Sequence, residues 1–370
     1  MSTGPSRRAA LHSLGILAGS SLLARVAGAQ EASRRIKLRR VNVSRSRVVG
    51  TIVGLRPFRA SGYVVRSEKL GDKTVVHHYG HGGCGVTLSW GTAELAVAEV
   101  ARTGARRVAV LGCGAVGLAT ARLLQQRGIE ATIYARELPP HTLSDVAGAR
   151  WYPFDLFDSK VVSAEVVAGV WRASRVAYAA FRRMAGPEYG VFFRPTYMFQ
   201  EKPLPKTSLL DLDSPMRDCL PGLRELSKEE NPTTAKVTRT FETMMIEPAI
   251  YLPAIMRDHA KAGGRVVQRE LRSVAELAEL NQPVIVNCTG MGAATLFGDT
   301  ELVPIKGQLT ILRPQPEIDY VALPHGLYMF PRRDGIVLGG TFERGVSTLE
   351  PNRAAEERIL ARHARFFATL

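Results

Sequence analysis

Cysteine is scarce and unpatterned in this chain. The 370 residues hold four, Cys84, Cys113, Cys219 and Cys288, with no CxxC spacing and no clustering with histidine of the metal-site kind. Neither a disulfide framework nor a metal site is therefore expected. Long apolar runs are missing as well: the uncharged segment from Ala9 to Ala24 is interrupted by Gly15, Gly19 and serines, which argues against a stable membrane span. Acids are in deficit, 34 against 49 lysines and arginines, for a formal net charge of +15. No block of those cations is interleaved with aromatics, so a nucleic-acid face is not expected and the charge reads as a basic soluble surface. No internal repeat or low-complexity tract occurs. What remains, at 45% hydrophobic and 22% charged residues, is a soluble globular protein with one large core or two modest ones.

Ser6-Arg7-Arg8 precedes the weakly apolar segment, and Ala27-Gly28-Ala29 has the small-residue pattern of a signal-peptidase site. Residues 1–29 thus read as an export signal to the periplasm or the medium. Paired arginines resemble the twin-arginine type, whose machinery carries folded, cofactor-loaded cargo; Ala10 stands where phenylalanine is usual. Residues 30–47, with seven lysines and arginines from Glu31 to Arg47, read as a basic, solvated linker.

The organising stretch is Arg107–Arg136. An apolar strand, Arg107–Leu111, leads into Gly112, Gly114 and Gly117 with Ala115 and Val116 between them, then a helix over Leu118–Arg127 and a second strand, Ile129–Ala135. GxGxxG between strand and helix is the turn that brings a dinucleotide's pyrophosphate onto a helix N-terminus. The acid expected to hold the ribose follows the second strand, where Arg136 precedes Glu137, so the role falls to Glu137. A second glycine-rich run, His77–Gly91, has five glycines in fifteen residues and leads to a helix over Thr92–Arg102. Such a run exposes backbone N–H groups and lets the chain approach a flat ring closely.

Val48–Val53 is strand-like and delivers Gly54-Leu55-Arg56-Pro57, the proline keeping Arg56 extended. A helix over Val161–Met184, a strand at Val191–Gln200, a looped region from Lys202 to Thr234, a helix over Pro253–Ala262 and short strands at Arg265–Gln268 and Val284–Asn287 complete the pattern. Gly339-Gly340 marks a bend or a close backbone approach. The fold class is α/β.

Together, VLGCGAVGLAT, TLSDVAGARW (Thr142–Trp151), VNCTG (Val286–Gly290), KGQ (Lys306–Gln308), LYMFP (Leu327–Pro331), LGGTF (Leu338–Phe342), GLRPFR and HHYGHGGCGVTLSWG resemble the D-amino-acid oxidase family. The resemblance implies a Rossmann-like FAD-binding domain interleaved with a mixed-sheet substrate domain. It divides the chain into residues 48–160, mainly FAD-binding, 161–285, mainly substrate domain, and 286–370, mixed. FAD would be held by the dinucleotide turn, by Arg136 and Glu137, by Thr142 and Ser144, by Thr289 and Gly290, and by Gly82, Gly83, Gly85, Val86 and Thr87. Arg56 would grip the substrate carboxylate, Tyr328 would add a second bond to it, and the Gly83 carbonyl would accept from the amine; Arg332 is a second candidate for the carboxylate.

The activity implied is oxidative deamination of D-amino acids, with hydride leaving Cα for flavin N5 and oxygen or another acceptor taking the electrons. Pro324 replaces a lid tyrosine of mammalian members. Phe342 replaces the arginine of the acidic-substrate branch, which points to neutral or apolar substrates. A glycine- or sarcosine-type amine oxidase, a quinone-linked dehydrogenase and an exported flavin-binding protein without turnover remain alternatives. The motif order departs from the family: GLRP and HGG precede the dinucleotide turn instead of following LGGTF. Joining Leu370 to about Lys37 would restore it, the mark of a circular permutation, which requires neighbouring ends.

Overall fold

Two sheets carry the computed structural model, which describes residues 35–205, 208 and 210–370. The expected export signal lies outside them. In chain order, β-branched Val48–Phe58 forms β1, and a hairpin follows as β2 (Val64–Leu70) and β3 (Lys73–Tyr79). Helix α1 (Gly85–Ala101), β4 (Arg107–Leu111), α2 (Ala115–Gln126) and β5 (Glu130–Ala135) build the dinucleotide unit. Next come α3 (Ala164–Arg183), β6 (Val191–Gln200), β7 (Arg224–Glu225), β8 (Val237–Ile246), α4 (Pro248–Lys261), β9 (Arg265–Gln268), α5 (Val274–Ala278) and β10 (Val284–Asn287). The last part holds α6 (Gly292–Phe297), β11 (Val303–Leu312), β12 (Val321–Pro324), β13 (Tyr328–Arg332), β14 (Gly335–Gly339), β15 (Glu343–Arg344) and α7 (Arg353–Phe367).

One sheet has the order β2-β3-β10-β4-β5-β9, parallel except at β2. Its central strands are buried on both faces, as a parallel sheet clothed by helices requires. The other sheet runs β1-β11-β14-β13-β12-β6-β8-β7, with β15 on β11, and is antiparallel except between β12 and β6. Chain position does not sort the residues into these sheets. β1, expected among the FAD-binding residues, belongs to the second sheet, and residues 35–370 cluster as one unit. No helix among the described residues is long and apolar enough to cross a membrane.

Several boundaries differ from the sequence reading. Helix α4 starts at Pro248 rather than Pro253, a proline at its first turn being tolerated there. The strand reaches past Val53 to Phe58, because β11 pairs with it throughout and Pro57 opposes another proline, Pro304. Helix α1 begins at Gly85 rather than Thr92; Gly91 sits within it because a Cβ there would overlap the Ala173 backbone of α3. Residues 35–47 are docked rather than a free linker. Val41 is buried in a cluster with Leu312 and Phe367, Arg39 accepts from the Tyr320 hydroxyl (2.6 Å), and Arg40 Nε donates to the Leu370 carbonyl (3.0 Å). Leu370 therefore lies beside Arg40, while Arg35 itself reaches the Asn231 carbonyl (3.1 Å).

Behind the glycine-rich run, His78 and His81 share the Thr92 hydroxyl at 2.8 and 2.9 Å, and His81 stacks on Tyr63. Burial pulls His81 down to about 3 and His78 well below its ordinary value, so both rings are uncharged at neutral pH. An unfolded chain protonates histidine from about pH 6.5 downward. Between that pH and the depressed folded values the unfolded state holds the extra protons, so stability is lost as pH falls, by about 1.4 kcal/mol per unit per ring. The melting temperature is expected to drop from pH 7 to pH 4, and less steeply for His81→Asn; equal slopes would remove His81 as a source.

Candidate active site

The parallel register sends four loops out of one end of the sheet. Gly80–Gly83 follow β3, Cys288–Gly290 follow β10, Gly112–Gly114 follow β4, and Arg136-Glu137 follow β5. From β4 the chain adds β5 and β9 on one side and returns to place β10 on the other, and such a switch point leaves a crevice for a ligand. The loops interlock by backbone contact. Gly112 adopts φ 103°, its N–H donates to the Tyr134 carbonyl (2.8 Å), and a Cβ on it would come within 2.6 Å of the Cys288 carbonyl oxygen. At Gly117 a Cβ would overlap the Gly112 carbonyl. These glycines leave the α2 N-terminus open to an anionic group, so the cradle fits a dinucleotide.

Ser144 lies over that N-terminus, its hydroxyl accepting from the Ala115 N–H (3.0 Å). Thr142 bonds Asp145 through its N–H (2.9 Å) and its hydroxyl (2.6 Å). Thr289 is turned inward by Asn287, whose side-chain oxygen accepts from its hydroxyl (2.7 Å), and Gly290 has φ 58°. Gly85, Val86 and Thr87 form the first turn of α1; a Cβ on Gly85 would lie 3.9 Å from Val116, and Thr87 reaches the Arg150 carbonyl. Glu137 is exposed beside Arg136 (3.5 Å), which also faces Glu270 at 3.5 Å. Glu270, carried in by the β9 side, is a second acid at that edge without a motif to announce it.

Arg56 reaches the same region from the other sheet. Its guanidinium lies across Gly307, where a Cβ would come within 2.6 Å of both terminal nitrogens. Gly83 covers its stem: a Cβ there would be 3.5 Å from Arg56 Cδ. The neighbouring Gly82 has φ 53° and faces the Asp155 carbonyl. Tyr328 lies flat on Gly339, which explains the close approach at that glycine, and stacks on Phe330 with ring centres 4.7 Å apart. Burial raises the Tyr328 pKa and the Arg56 charge pulls against it, so the hydroxyl stays protonated beside the guanidinium. Arg56 Nη1 is buried without a hydrogen-bond partner, and Phe342 closes the outer side, 5.9 Å from the guanidinium carbon. Burial raises the Asp155 carboxyl and Arg56 counteracts, which places an acid near the arginine that no motif marked.

The structure separates the two carboxylate candidates. Arg332 is engaged by Asp334 through Nε (2.8 Å) and Nη2, and its Nη1 donates to the Ala147 carbonyl (3.2 Å). Arg56, Gly83 and Tyr328 are brought together, although they are distant in sequence.

The family described as DAO, FAD dependent oxidoreductase, matches residues 107–370. The chain is similar to a D-amino-acid oxidase of Rubrobacter xylanophilus, 34% identical over 264 residues, 69% of this chain and 76% of that one. It is similar also to a D-amino-acid oxidase of Streptomyces coelicolor, 30% identical over 263 residues, covering 70% and 76%. Among solved structures, glycine oxidase from Geobacillus kaustophilus aligns over 70% of this chain and 78% of that one, with a TM-score of 0.53 and 17% identity, a likeness of fold alone.

The glycine packing predicts an ordered pair of variants. Gly117→Ala forces the turn open and is expected to lose FAD, read as visible flavin absorbance per protein after desalting. Gly128→Ala, at φ 72° with open space around it, costs roughly 1 kcal/mol of backbone strain and is expected to keep its flavin. Retention by both would show that the turn does not hold the cofactor.

Proposed function

The chain belongs to the FAD dependent oxidoreductase family, and on that premise we propose that it deaminates D-amino acids oxidatively. The observation that carries the reading is the half-buried Arg56, whose Nη1 is buried without a hydrogen-bond partner, beside a protonated Tyr328 and, among the described residues, in no ion pair. FAD, held at Gly112–Gly117 and Ser144, would supply a two-electron acceptor for the hydride of substrate Cα, with oxygen reduced to hydrogen peroxide in our reading and the imino acid hydrolysed to a 2-oxo acid and ammonia. The chain's own part is orientation. Arg56 holds the α-carboxylate through charge-assisted bonds, Tyr328 donates to it, and the Gly83 carbonyl takes an amine hydrogen; these three contacts fix the face that Cα presents.

The D configuration rests on likeness to the relatives above. Phe342, apolar and against Arg56, favours neutral or apolar side chains at its rim. We place the dinucleotide's phosphates at Gly112–Gly117 and Ser144, and a ribose at Glu137. Export through the twin-arginine route rests on Ser6-Arg7-Arg8 and the segment after it. The circular permutation is likewise our reading. The family match starts at Arg107, β1 and the β3–α1 loop supply Arg56 and Gly83 from before it, and Arg40 touches Leu370.

Anaerobic mixing of the holoprotein with D- and L-amino acids tests the activity. Bleaching of the flavin by D-isomers alone, with peroxide formed in air, is expected; no bleaching by any amino acid would overturn the reading. Arg56→Ala is expected to lower kcat/KM about 100-fold, about 2.7 kcal/mol of transition-state binding, chiefly through KM, and unchanged kinetics would take the carboxylate from Arg56. For the permutation, a chain opened before Arg107 with Leu370 linked to Lys37 is expected to fold and retain FAD. A re-cut chain that is unfolded would count against it.

A further inference from the structure

The Arg150 side chain belongs to none of the contacts assigned above. Its segment is held on both sides: Ala149 has φ 52°, and the N–H of the fully buried Trp151 donates to the Met244 carbonyl (2.7 Å). The Arg150 side chain is nine-tenths buried, and its Nε and Nη1 have no hydrogen-bond partner. Among the described residues no carboxylate lies within ion-pair distance. Its neighbours are two aromatic faces, Tyr152 at 4.5 Å and Phe154 at 5.9 Å from the guanidinium carbon. Burial lowers its pKa to about 10, so it remains a cation at neutral pH. Ring faces offset part of the lost hydration and leave the N–H groups unmet. A buried guanidinium of this kind is completed by an anion.

Its position says which anion. Cys84, next after the Gly83 that covers Arg56, has its thiol 3.7 Å from the Tyr152 carbonyl and 2.6 Å from that of Phe154, the two residues whose rings face Arg150. Gly148, two residues before Arg150, packs against the Phe330 and Tyr328 rings, where a Cβ would sit 2.9 and 3.9 Å away. The two guanidinium groups thus border one site from different elements, and only Arg56 has Tyr328 beside it.

We propose that Arg150 receives a second carboxylate, so that dicarboxylic D-amino acids of the aspartate and glutamate type are substrates in addition to neutral ones. This rests on the amino-acid oxidase reading. Arg56 and Tyr328 take the α-carboxylate and Arg150 the side-chain carboxylate. Phe342 leaves no cation at its rim, and the second charge is supplied instead from the Tyr152–Phe154 wall. Neutral substrates leave Arg150 on its rings.

The test is the ratio of kcat/KM for D-aspartate and D-glutamate to kcat/KM for D-alanine. Wild-type protein is expected to turn over at least one dicarboxylic substrate, Arg150→Leu to lower the ratio at least 30-fold, and Arg150→Lys to fall between them. Succinate and glutarate are expected to perturb the bound flavin's spectrum at lower concentration than acetate does, a difference lost in Arg150→Leu. An unchanged ratio overturns the proposal, as does loss of FAD in both variants, which would assign the guanidinium to the cofactor. Should Arg150→Leu fail to fold, the Arg150→Lys ratio and the dicarboxylate titration of wild-type protein decide. Turnover of D-alanine without either dicarboxylic substrate defeats this inference alone; no bleaching by any amino acid defeats the activity itself.

Discussion

Arg56 can reach the crevice only because β1 pairs with β11 along its whole length. That antiparallel register sets Arg56 opposite Ile305 and Gly54 opposite Gly307, and the missing side chain of Gly307 lets the guanidinium lie flat across the strand. A one-residue slip would turn Arg56 to the other face of the sheet. Tyr328 depends on the same logic one hairpin further on, pairing with Gly339 and resting its ring there. Arg56 and Tyr328 are therefore each seated on a glycine of a neighbouring strand.

Charge at the site is organised by burial as much as by sequence. The histidines beneath the glycine-rich loop are neutral because water is excluded from them, so they lend no cation. Arg332 is neutralised by Asp334 in its own hairpin turn. What stays positive and unmet is Arg56 on one side and Arg150 on the other. Guanidinium nitrogens buried without a hydrogen-bond partner favour an anionic group, because part of the desolvation is already present in the fold.

Several elements were legible in the sequence because their signals are local. Arg107–Leu111 is strand-like and GxGxxG opens α2, as the turn chemistry demands. Val284–Asn287 and Arg265–Gln268 form strands within the bounds expected. The misjudged boundaries have tertiary causes. Gly91 looks like a helix breaker until Ala173 of α3 packs on it, and the basic run at residues 35–47 looks solvated until Val41 finds Leu312 and Phe367. Arg150 lies inside the TLSDVAGARW segment, yet nothing local marked its side chain, since a buried arginine and an exposed one are spelt the same way.

By itself the sequence determined the dinucleotide turn, the strands that feed it and the set of segments that marks the family. These depend on φ angles, hydrogen bonds and apolar periodicity spanning a few residues. Only the tertiary structure decided that Arg56 and Tyr328 stand together, that Arg332 is paired elsewhere and that Arg150 is dry and unpartnered. Those outcomes depend on strand register and on exclusion of water by residues far apart in the chain, and neither quantity is written in any short stretch of it.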